Sequence, residues 1–261
     1  MNASLSITQH LGSRTCAPVY SSATRTHPFL ISAANGTLTS STLSFWLAQD
    51  RIYAAHAYPR FIGSLISRIP LGQNTLPSAV SQRILDVLVY ALQNVLREVA
   101  FFDEVAKKWG LDLDRKERKG TRDYTAEMAR VSGTGIIEEG LLFLWAMEKV
   151  SWLRSTHITK MGAVLIGARC QVYLDAWSNV HEKLLSNASA GRASDEALLS
   201  LADNWSSPEF RRFVDDLAQV VDEVYRVLGN DTWEAAEYIW DRVIELEEGF
   251  WPKEEEEERG A

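Results

Sequence analysis

The chain has 261 residues, of which 46% are hydrophobic, and a formal net charge of −8. That length and apolar content suffice for one large domain with its own core. The acidic balance argues against a nucleic-acid partner, and no apolar run reaches membrane-spanning length. Two cysteines, Cys16 and Cys170, make neither a disulfide framework nor a zinc-type spacing, so we expect no metal and no cofactor.

The two ends of the chain have the composition of segments outside the core. Residues 1–25 are rich in Ser and Thr and lack acids, which predicts a disordered lead; a mitochondrial transit peptide is the alternative interpretation. Residues 253–261 form an acidic tail that we expect to be solvated. The domain between them, residues 26–252, is expected to be cytoplasmic, or mitochondrial if the lead is a transit peptide.

Helical periodicity dominates the chain from residue 37 onwards. Thr37–Thr42 supplies N-caps for a helix running through Arg68, and the next helix, Ser78–Trp109, precedes a C-cap at Gly110. No alternating strand pattern is long enough to predict a sheet. The class is therefore all-α, with about seven or eight helices. The later predicted helices are Tyr124–Arg130, Glu138–Lys149, Tyr173–Leu185, a helix to about Leu228 opened by the cap Ser206-Ser207-Pro208-Glu209, and Asp231 to about Trp251.

Asp50 is the most informative residue of the first long helix. Trp46 at i−4, Tyr53 at i+3 and Ala54 at i+4 share its face. A carboxylate on an apolar, aromatic face is costly unless something binds it. Either Asp50 holds a polar ligand inside a helical bundle, or it lies at the surface beside Arg51.

The last predicted helix ends in an acidic stretch that contains Glu247. Carboxylates at a helix C-terminus oppose the helix dipole. One interpretation is a solvated acidic face. The other is a single Glu turned inward beside Phe250 and Trp251, where burial would raise its pKa and suit it to proton transfer.

Several short motifs follow one another along the chain in a definite order. They are Thr26-His27-Pro28-Phe29, Leu47-Ala48-Gln49-Asp50, Glu98, Lys108-Trp109-Gly110-Leu111-Asp112, Tyr124-Thr125, Ser206-Ser207-Pro208-Glu209-Phe210 and Glu247-x-x-Phe250-Trp251. Together they resemble the TenA/thiaminase II family, which has a haem-oxygenase-like helical fold and includes PqqC-like proteins. The resemblance implies a pocket for an aminopyrimidine, in which Asp50 hydrogen-bonds the amino group and ring nitrogen, Tyr53 and Tyr124 line the ring, and Glu247 transfers protons.

The chain departs from this family at the nucleophile. Where thiaminase II enzymes carry a cysteine, this chain has Leu144, which cannot supply a thiolate. Glu148 lies one turn later. It is either a substitute acid or base, as in the cysteine-less branch that includes fungal-type members, or a structural partner of Lys149 or Arg130. Trp205 replaces a tyrosine and would keep an aromatic pocket wall.

Residues 150–171 are an atypical insertion into a helix that we expect to be continuous in fungal-type relatives. The segment starts with Val-Ser and ends with Gln, which codons resembling splice sites can encode, and its 22 codons preserve the frame. It is either a retained intron or a genuine insertion with Ser151 to about Gly162 looped out. In one straight helix its 22 residues would displace Tyr173, also assigned to the substrate, by about 33 Å relative to Glu148. Cys170 lies inside the segment and is not assigned as a nucleophile.

Two classes of function remain open. The first is a hydrolase of an aminopyrimidine or a related thiamine breakdown product. The second is a ligand-binding or regulatory protein that has lost the nucleophile. A cofactorless oxidase of the PqqC type would need more His and Arg in the pocket. The resemblance also suggests a homo-oligomer, and Trp233, Tyr238 and Trp240 are expected to be exposed aromatics compatible with an interface.

The intron interpretation predicts that mature transcripts lack the codons for residues 150–171. Transcript sequencing across this junction is the measurement. If every mature message retains the 66 nucleotides, which correspond to 22 codons, the segment is a genuine insertion.

Overall fold

The computed structural model describes residues 5–14, 18–71, 76–150, 177, 180, 181, 183–185, 193–205 and 207–253. Within these ranges the regular structure is helical and contains no strand, which confirms the predicted all-α class. None of the helices in these ranges combines the length and apolar character needed to cross a bilayer. The predictions for residues 151–171, Tyr173, Cys16 and the tail beyond residue 253 fall outside the described part of the chain.

In the described ranges, three turns of other helix types lie between the α-helices. The π-helical turns are Ser22–Thr26 and Tyr53–Ala57, and the 3₁₀ turn is Asn230–Thr232. The α-helices are α1 Ile7–Ser13, α2 Pro18–Ser21, α3 Pro28–Ala34, α4 Ser40–Ile52, α5 Tyr58–Ile66, α6 Ser78–Trp109, α7 Lys119–Thr134, α8 Ile137–Val150, α9 Ala193–Trp205, α10 Pro208–Leu228 and α11 Trp233–Phe250.

Helix α8 is the centre of the core. All seven residues from Leu141 to Met147 are buried, as expected for a helix that is apolar around its whole circumference. Helices α10 and α11 pack along it, and α5 and α7 also contact it. Because Glu148 directly follows this apolar run, the fold carries a carboxyl group into the interior.

Two helix boundaries follow directly from local sequence chemistry. Gly110 adopts a left-handed conformation with φ of 66° and caps the 32-residue helix α6. Ser207 accepts a hydrogen bond from the backbone N–H of Phe210, and Pro208 opens α10. The predicted single helix through Arg68 is instead two helices joined by the second π turn, and α5 ends at Ile66.

The first helix corrects the prediction of a disordered lead. Ser6 caps α1 in a reciprocal capping box with Gln9, and the apolar pair Ile7 and Leu11, one turn apart, is buried. The backbone N–H and the hydroxyl of Thr8 both donate to the carboxylate of Asp222 on α10, at 2.9 and 2.8 Å. Composition alone conveys neither the apolar pair nor its distant partner.

One of the three aromatics expected at the surface belongs to the core. Trp240 is fully buried and its ring stacks on Trp145 with centroids 5.4 Å apart. Trp233 is partly buried and packs against the ring of His10 at 4.7 Å. Tyr238 is 65% exposed, so it alone keeps the predicted position.

Helices α4, α7 and α11 are tied together by buried polar contacts. The side chain of Gln49 donates to the carbonyl of Lys116 and accepts from the backbone N–H of Arg118 and the hydroxyl of Thr121, at 2.9–3.0 Å. The guanidinium of Arg118 donates to the carbonyls of Gly249 and Phe250. The positive charge of Arg118 also interacts favourably with the dipole of α11, whose negative end lies at these carbonyls. Both interactions fix the C-terminal end of α11.

Gly120→Ala should destabilise the fold. An added Cβ would lie 2.3 Å from the carbonyl oxygen of Gly249, a backbone atom held by Arg118 that cannot swing aside. We expect the free energy of unfolding, measured by urea denaturation, to fall by about 1–3 kcal/mol. Gly133→Ala on the same helix is the control, because nothing lies within 4 Å of its Cβ. It should be neutral or gain up to about 1 kcal/mol. Equal effects of the two changes would contradict the close approach.

Candidate active site

A cavity of about 70 Å³ lies between the helices at the end of the buried run of α8. Every helix from α4 to α11 contributes to its wall, and so does the π turn that follows α4. The wall is largely aromatic, with four carboxyl groups set into it. The lining residues are Asp50, Tyr53, Ala54, Tyr58, Val95, Glu98, Phe102, Tyr124, Met147, Glu148, Trp205, Phe210, Glu247 and Phe250.

Six of the seven side chains that the sequence singles out line this one cavity. They come from five separate segments of the chain, since Asp50 and Tyr53 share one helical stretch, and only the fold brings these segments together. The seventh, Tyr173, lies outside the described residues. The six are Asp50, Tyr53, Tyr124, Glu148, Trp205 and Glu247.

Asp50 faces the cavity rather than a surface arginine. Arg51 pairs instead with Asp103, with Nε 2.7 Å from the carboxylate oxygen. Among the described residues, none donates a hydrogen bond to Asp50. Burial raises the pKa of Asp50 well above its usual range, and the nearby Glu98, Glu247 and Glu148 raise it further. Its carboxyl group is therefore available to a ligand.

Two tyrosine–glutamate pairs face the cavity. The hydroxyl of Tyr124 donates to Oε1 of Glu247 at 2.6 Å, and the hydroxyl of Tyr58 donates to Oε1 of Glu148 at 2.5 Å. Tyr53 lies between them, with its ring edge-on to Tyr124 at 5.3 Å and to Tyr58 at 6.0 Å. The three tyrosine rings thus line the cavity together, and two of them orient the carboxyl groups of Glu148 and Glu247 at its wall.

Neutral donors leave both glutamates with pKa values near neutrality. Burial raises the pKa of Glu247 from 4.5 to about 7, against the lowering effect of the Tyr124 hydroxyl. Burial and the charge of Glu98 raise the pKa of Glu148 to about 8, although the Tyr58 hydroxyl opposes the shift. Of the structural roles expected for Glu148, pairing with Arg130 is wrong, because Arg130 pairs with Glu127.

Glu98 is a cavity residue whose role sequence reasoning missed. Trp205 Nε1 and Asn94 Nδ2 both donate to its Oε1 atom at 3.2 Å, and burial raises its pKa to about 7. The signal was present: Glu98 continues the apolar stripe of α6 at helical spacing after Val95 and before Phe102, both buried. A carboxylate on a buried stripe is the same anomaly that singled out Asp50.

A second aromatic cluster backs the cavity. Trp46 is fully buried and packs against Trp177 at 5.1 Å, Trp205 at 5.8 Å and Trp251 at 6.2 Å. Trp251 is itself fixed by a hydrogen bond from its Nε1 to the carbonyl of Ala23, at 2.7 Å. Trp46 therefore supports the wall from behind, whereas Trp205 reaches the cavity and holds Glu98.

The position of the expected nucleophile is filled by a core residue. Leu144 is fully buried and does not line the cavity, whereas Glu148, one turn later, does. Both cysteines lie outside the described residues. Within the described ranges, no three His, Cys, Asp or Glu side chains are arranged to hold a metal ion.

Comparison with known proteins places this arrangement in a family. Residues 14–257 match the TENA/THI-4/PQQC family. The chain belongs to that family. A Glycine max relative named a probable bifunctional TENA-E protein is 21% identical over 233 residues, which cover 89% of this chain and 86% of that protein. A Fusarium pseudograminearum relative named a probable transcription factor is 26% identical over 76% of this chain. The chain spans only 41% of that fungal protein's length.

Solved structures of TenA homologues share the fold. A Pyrococcus horikoshii TenA homologue superposes with a TM-score of 0.69 at 17% identity, covering 98% of this chain and 100% of that one. A Pyrococcus furiosus TenA homologue gives a TM-score of 0.68 at 18% identity, covering 94% and 98%. A Silicibacter protein described as a TenA family transcription regulator gives 0.65 at 13%, covering 94% of each chain. The all-α, haem-oxygenase-like bundle expected from the sequence is thereby confirmed.

The buried carboxyl groups predict a particular pH dependence of stability. In the folded chain the pKa values of Glu98 and Glu247 are raised from 4.5 to about 7, and that of Glu148 to about 8. At a pH between 4.5 and these raised values, the folded chain therefore binds more protons than the unfolded chain. Stability should therefore fall as pH rises from about 5 to 8, by up to about 1.4 kcal/mol per pH unit for each group. Urea denaturation at several pH values measures it.

The contribution of one carboxyl group can be isolated by substitution. Glu148→Gln should make the decline shallower, since the substituted side chain no longer titrates. Glu104→Gln, which removes an exposed carboxylate on α6, should leave it unchanged. A wild-type free energy of unfolding that is constant or rises between pH 5 and 8 would contradict the protonated state of the cavity.

Proposed function

We propose that this TenA-family protein is an aminopyrimidine hydrolase that works without a cysteine nucleophile. The observation that carries the proposal is the single cavity in which Asp50 faces two hydrogen-bonded pairs, Tyr124–Glu247 and Tyr58–Glu148. The cavity has a volume of about 70 Å³. At roughly 10–15 Å³ for each water, it has space for about five waters, which is the size of a small ring compound.

Recognition of the ring follows from the wall of the cavity. A buried carboxyl group without a partner among the described residues accepts hydrogen bonds from an exocyclic amino group, and in its protonated form it donates to a ring nitrogen. Asp50 has this position. Tyr53 and Tyr124 supply aromatic surface for the ring, and Trp205 closes the wall that a tyrosine is expected to form in relatives.

The chemistry requires two proton transfers. In hydrolysis of an aminomethyl substituent, the amine first gains a proton to form the ammonium; the carbon–nitrogen bond then breaks with release of ammonia, a carbon–oxygen bond to water forms, and the water loses a proton. Glu148, with a pKa of about 8, is mostly protonated at neutral pH and suits the donor role. Glu247, with a pKa of about 7, is present in both forms and suits the acceptor role.

The test is turnover of 4-amino-5-aminomethyl-2-methylpyrimidine. We expect the hydroxymethyl product and ammonia, detected by mass spectrometry and an ammonia assay. Glu247→Gln should reduce the rate at least about 100-fold, since it removes a general acid–base group. Asp50→Asn should weaken binding. The matched control is Glu245→Gln on the same helix, an exposed position whose change should leave the rate unaltered.

The absence of thiol chemistry is tested separately. A Cys16→Ser, Cys170→Ser double variant should keep its turnover. Loss of turnover in this variant, with binding retained, would restore a thiol mechanism and overturn the cysteine-free proposal.

Two observations favour a second function, that of a ligand-binding or regulatory protein. Leu144 occupies the position expected for the nucleophile, and two similar proteins carry the names transcription factor and transcription regulator. Under this alternative, the same pyrimidine binds, Asp50→Asn abolishes binding, and no ammonia is released. Titration calorimetry beside the turnover assay distinguishes the two functions.

A further inference from the structure

Glu98 has a position that the proposed chemistry does not use. It lines the inner cavity and also a groove of about 170 Å³ that runs along Tyr90, Arg97 and Glu209. Among the residues that the structure describes, only Glu98 and Phe210 line both the cavity and the groove. Glu98 therefore lies between the cavity and the groove. A substituent of a ring bound in the cavity would pass Glu98 if it pointed towards the groove.

One oxygen of Glu98 is fixed and the other is available. Trp205 and Asn94 both donate to Oε1, which orients the carboxyl group. In the described part of the chain, no donor contacts Oε2. An oriented carboxylate oxygen at the edge of a cavity is a hydrogen-bond acceptor ready for a ligand.

The surroundings of Glu98 lack a compensating cation on the cavity side. Asp50, Glu148 and Glu247 are its acidic neighbours, and the described lining contains no Lys, Arg or His. Arg97, the next residue on α6, turns to Glu209 at 3.3 Å and lies over the ring of Tyr90 at 5.6 Å. An ionised Glu98 is therefore best stabilised by a positively charged group on the ligand itself.

We propose that Glu98 is a further substrate-binding residue, whose Oε2 atom accepts a hydrogen bond from an ammonium substituent of a ligand that Asp50 holds by its ring. This inference rests on the proposed aminopyrimidine site and adds a selectivity to it. Glu98 makes the site prefer an aminomethyl compound over the hydroxymethyl compound of the same shape. Tighter binding of the aminomethyl compound would favour uptake of the substrate, and weaker binding of the hydroxymethyl compound would favour release of the product.

The experiment compares two ligands that differ in one group. Dissociation constants of 4-amino-5-aminomethyl-2-methylpyrimidine and its hydroxymethyl analogue are measured by titration calorimetry at pH 8, in the Glu247→Gln background to prevent turnover. We expect the amine to bind about ten- to a hundredfold more tightly, the range for one charge-assisted hydrogen bond. Adding Glu98→Gln should bring the ratio close to one while the hydroxymethyl compound still binds. Adding the exposed control Glu104→Gln should preserve the ratio.

Lowering the pH gives a readout that a purely structural role would not produce. Protonation of Glu98 at pH 5.5 should reduce the preference in the Glu247→Gln background and have much less effect once Glu98→Gln is added. If Glu98→Gln does not fold, Glu98→Asp replaces it; this keeps the charge but withdraws it by one methylene, and the ratio should again fall.

The outcomes separate this inference from the proposed function. A ratio that Glu98→Gln leaves unchanged overturns the role of Glu98 while the aminopyrimidine site stands. A protein that binds neither compound overturns the proposed function, and the role of Glu98 with it.

Discussion

Four carboxyl groups that line one cavity inside the fold are the constraint on which the rest of this structure depends. Burying an ionised carboxylate is costly, and burying four near one another is more so. Among the described residues, neutral donors offset that cost at three of the four: tyrosine hydroxyls on Glu148 and Glu247, and an indole and an amide on Glu98. An arginine in their place would lower the pKa values far below neutrality. Neutral donors instead leave the acids able to exchange protons at physiological pH.

The scaffold explains how such a cluster is held in place. Each acid lies on a different helix, namely α4, α6, α8 and α11, so repulsion between them acts across helix contacts. Those contacts are secured away from the cavity. Gln49 and Arg118 tie α4 and the start of α7 to the end of α11, and the tryptophans around Trp46 fill the space behind the wall. Packing energy elsewhere in the fold thus offsets the cost of the site.

The helices and most of the site were predictable because their signals are local or belong to a family pattern. Gly110 and Ser207 end and begin helices by their own backbone chemistry. Glu98 was missed as a site residue although its position on an apolar stripe carried the same signal as Asp50. Tyr58 could not be predicted, because its contact with Glu148 depends on a π turn that α-helical spacing does not anticipate. The helix at residues 7–13 depends on a partner on α10, more than 200 residues away along the chain.

The π turn Tyr53–Ala57 also restricts insertions and deletions in this part of the chain. Tyr53 and Tyr58 are five residues apart, which in an unbroken α-helix of about 100° per residue would set them about 140° apart around the axis. The wider turn removes most of that angle and brings their rings within 6.0 Å. It simultaneously sets the rotation at which α5 buries Phe61, Ile62 and Leu65. Deleting one residue here would turn Tyr58 from the cavity and the apolar face of α5 from the core together. The length of this stretch is therefore under a double constraint, unlike a surface loop, where an extra residue shifts no rotational phase.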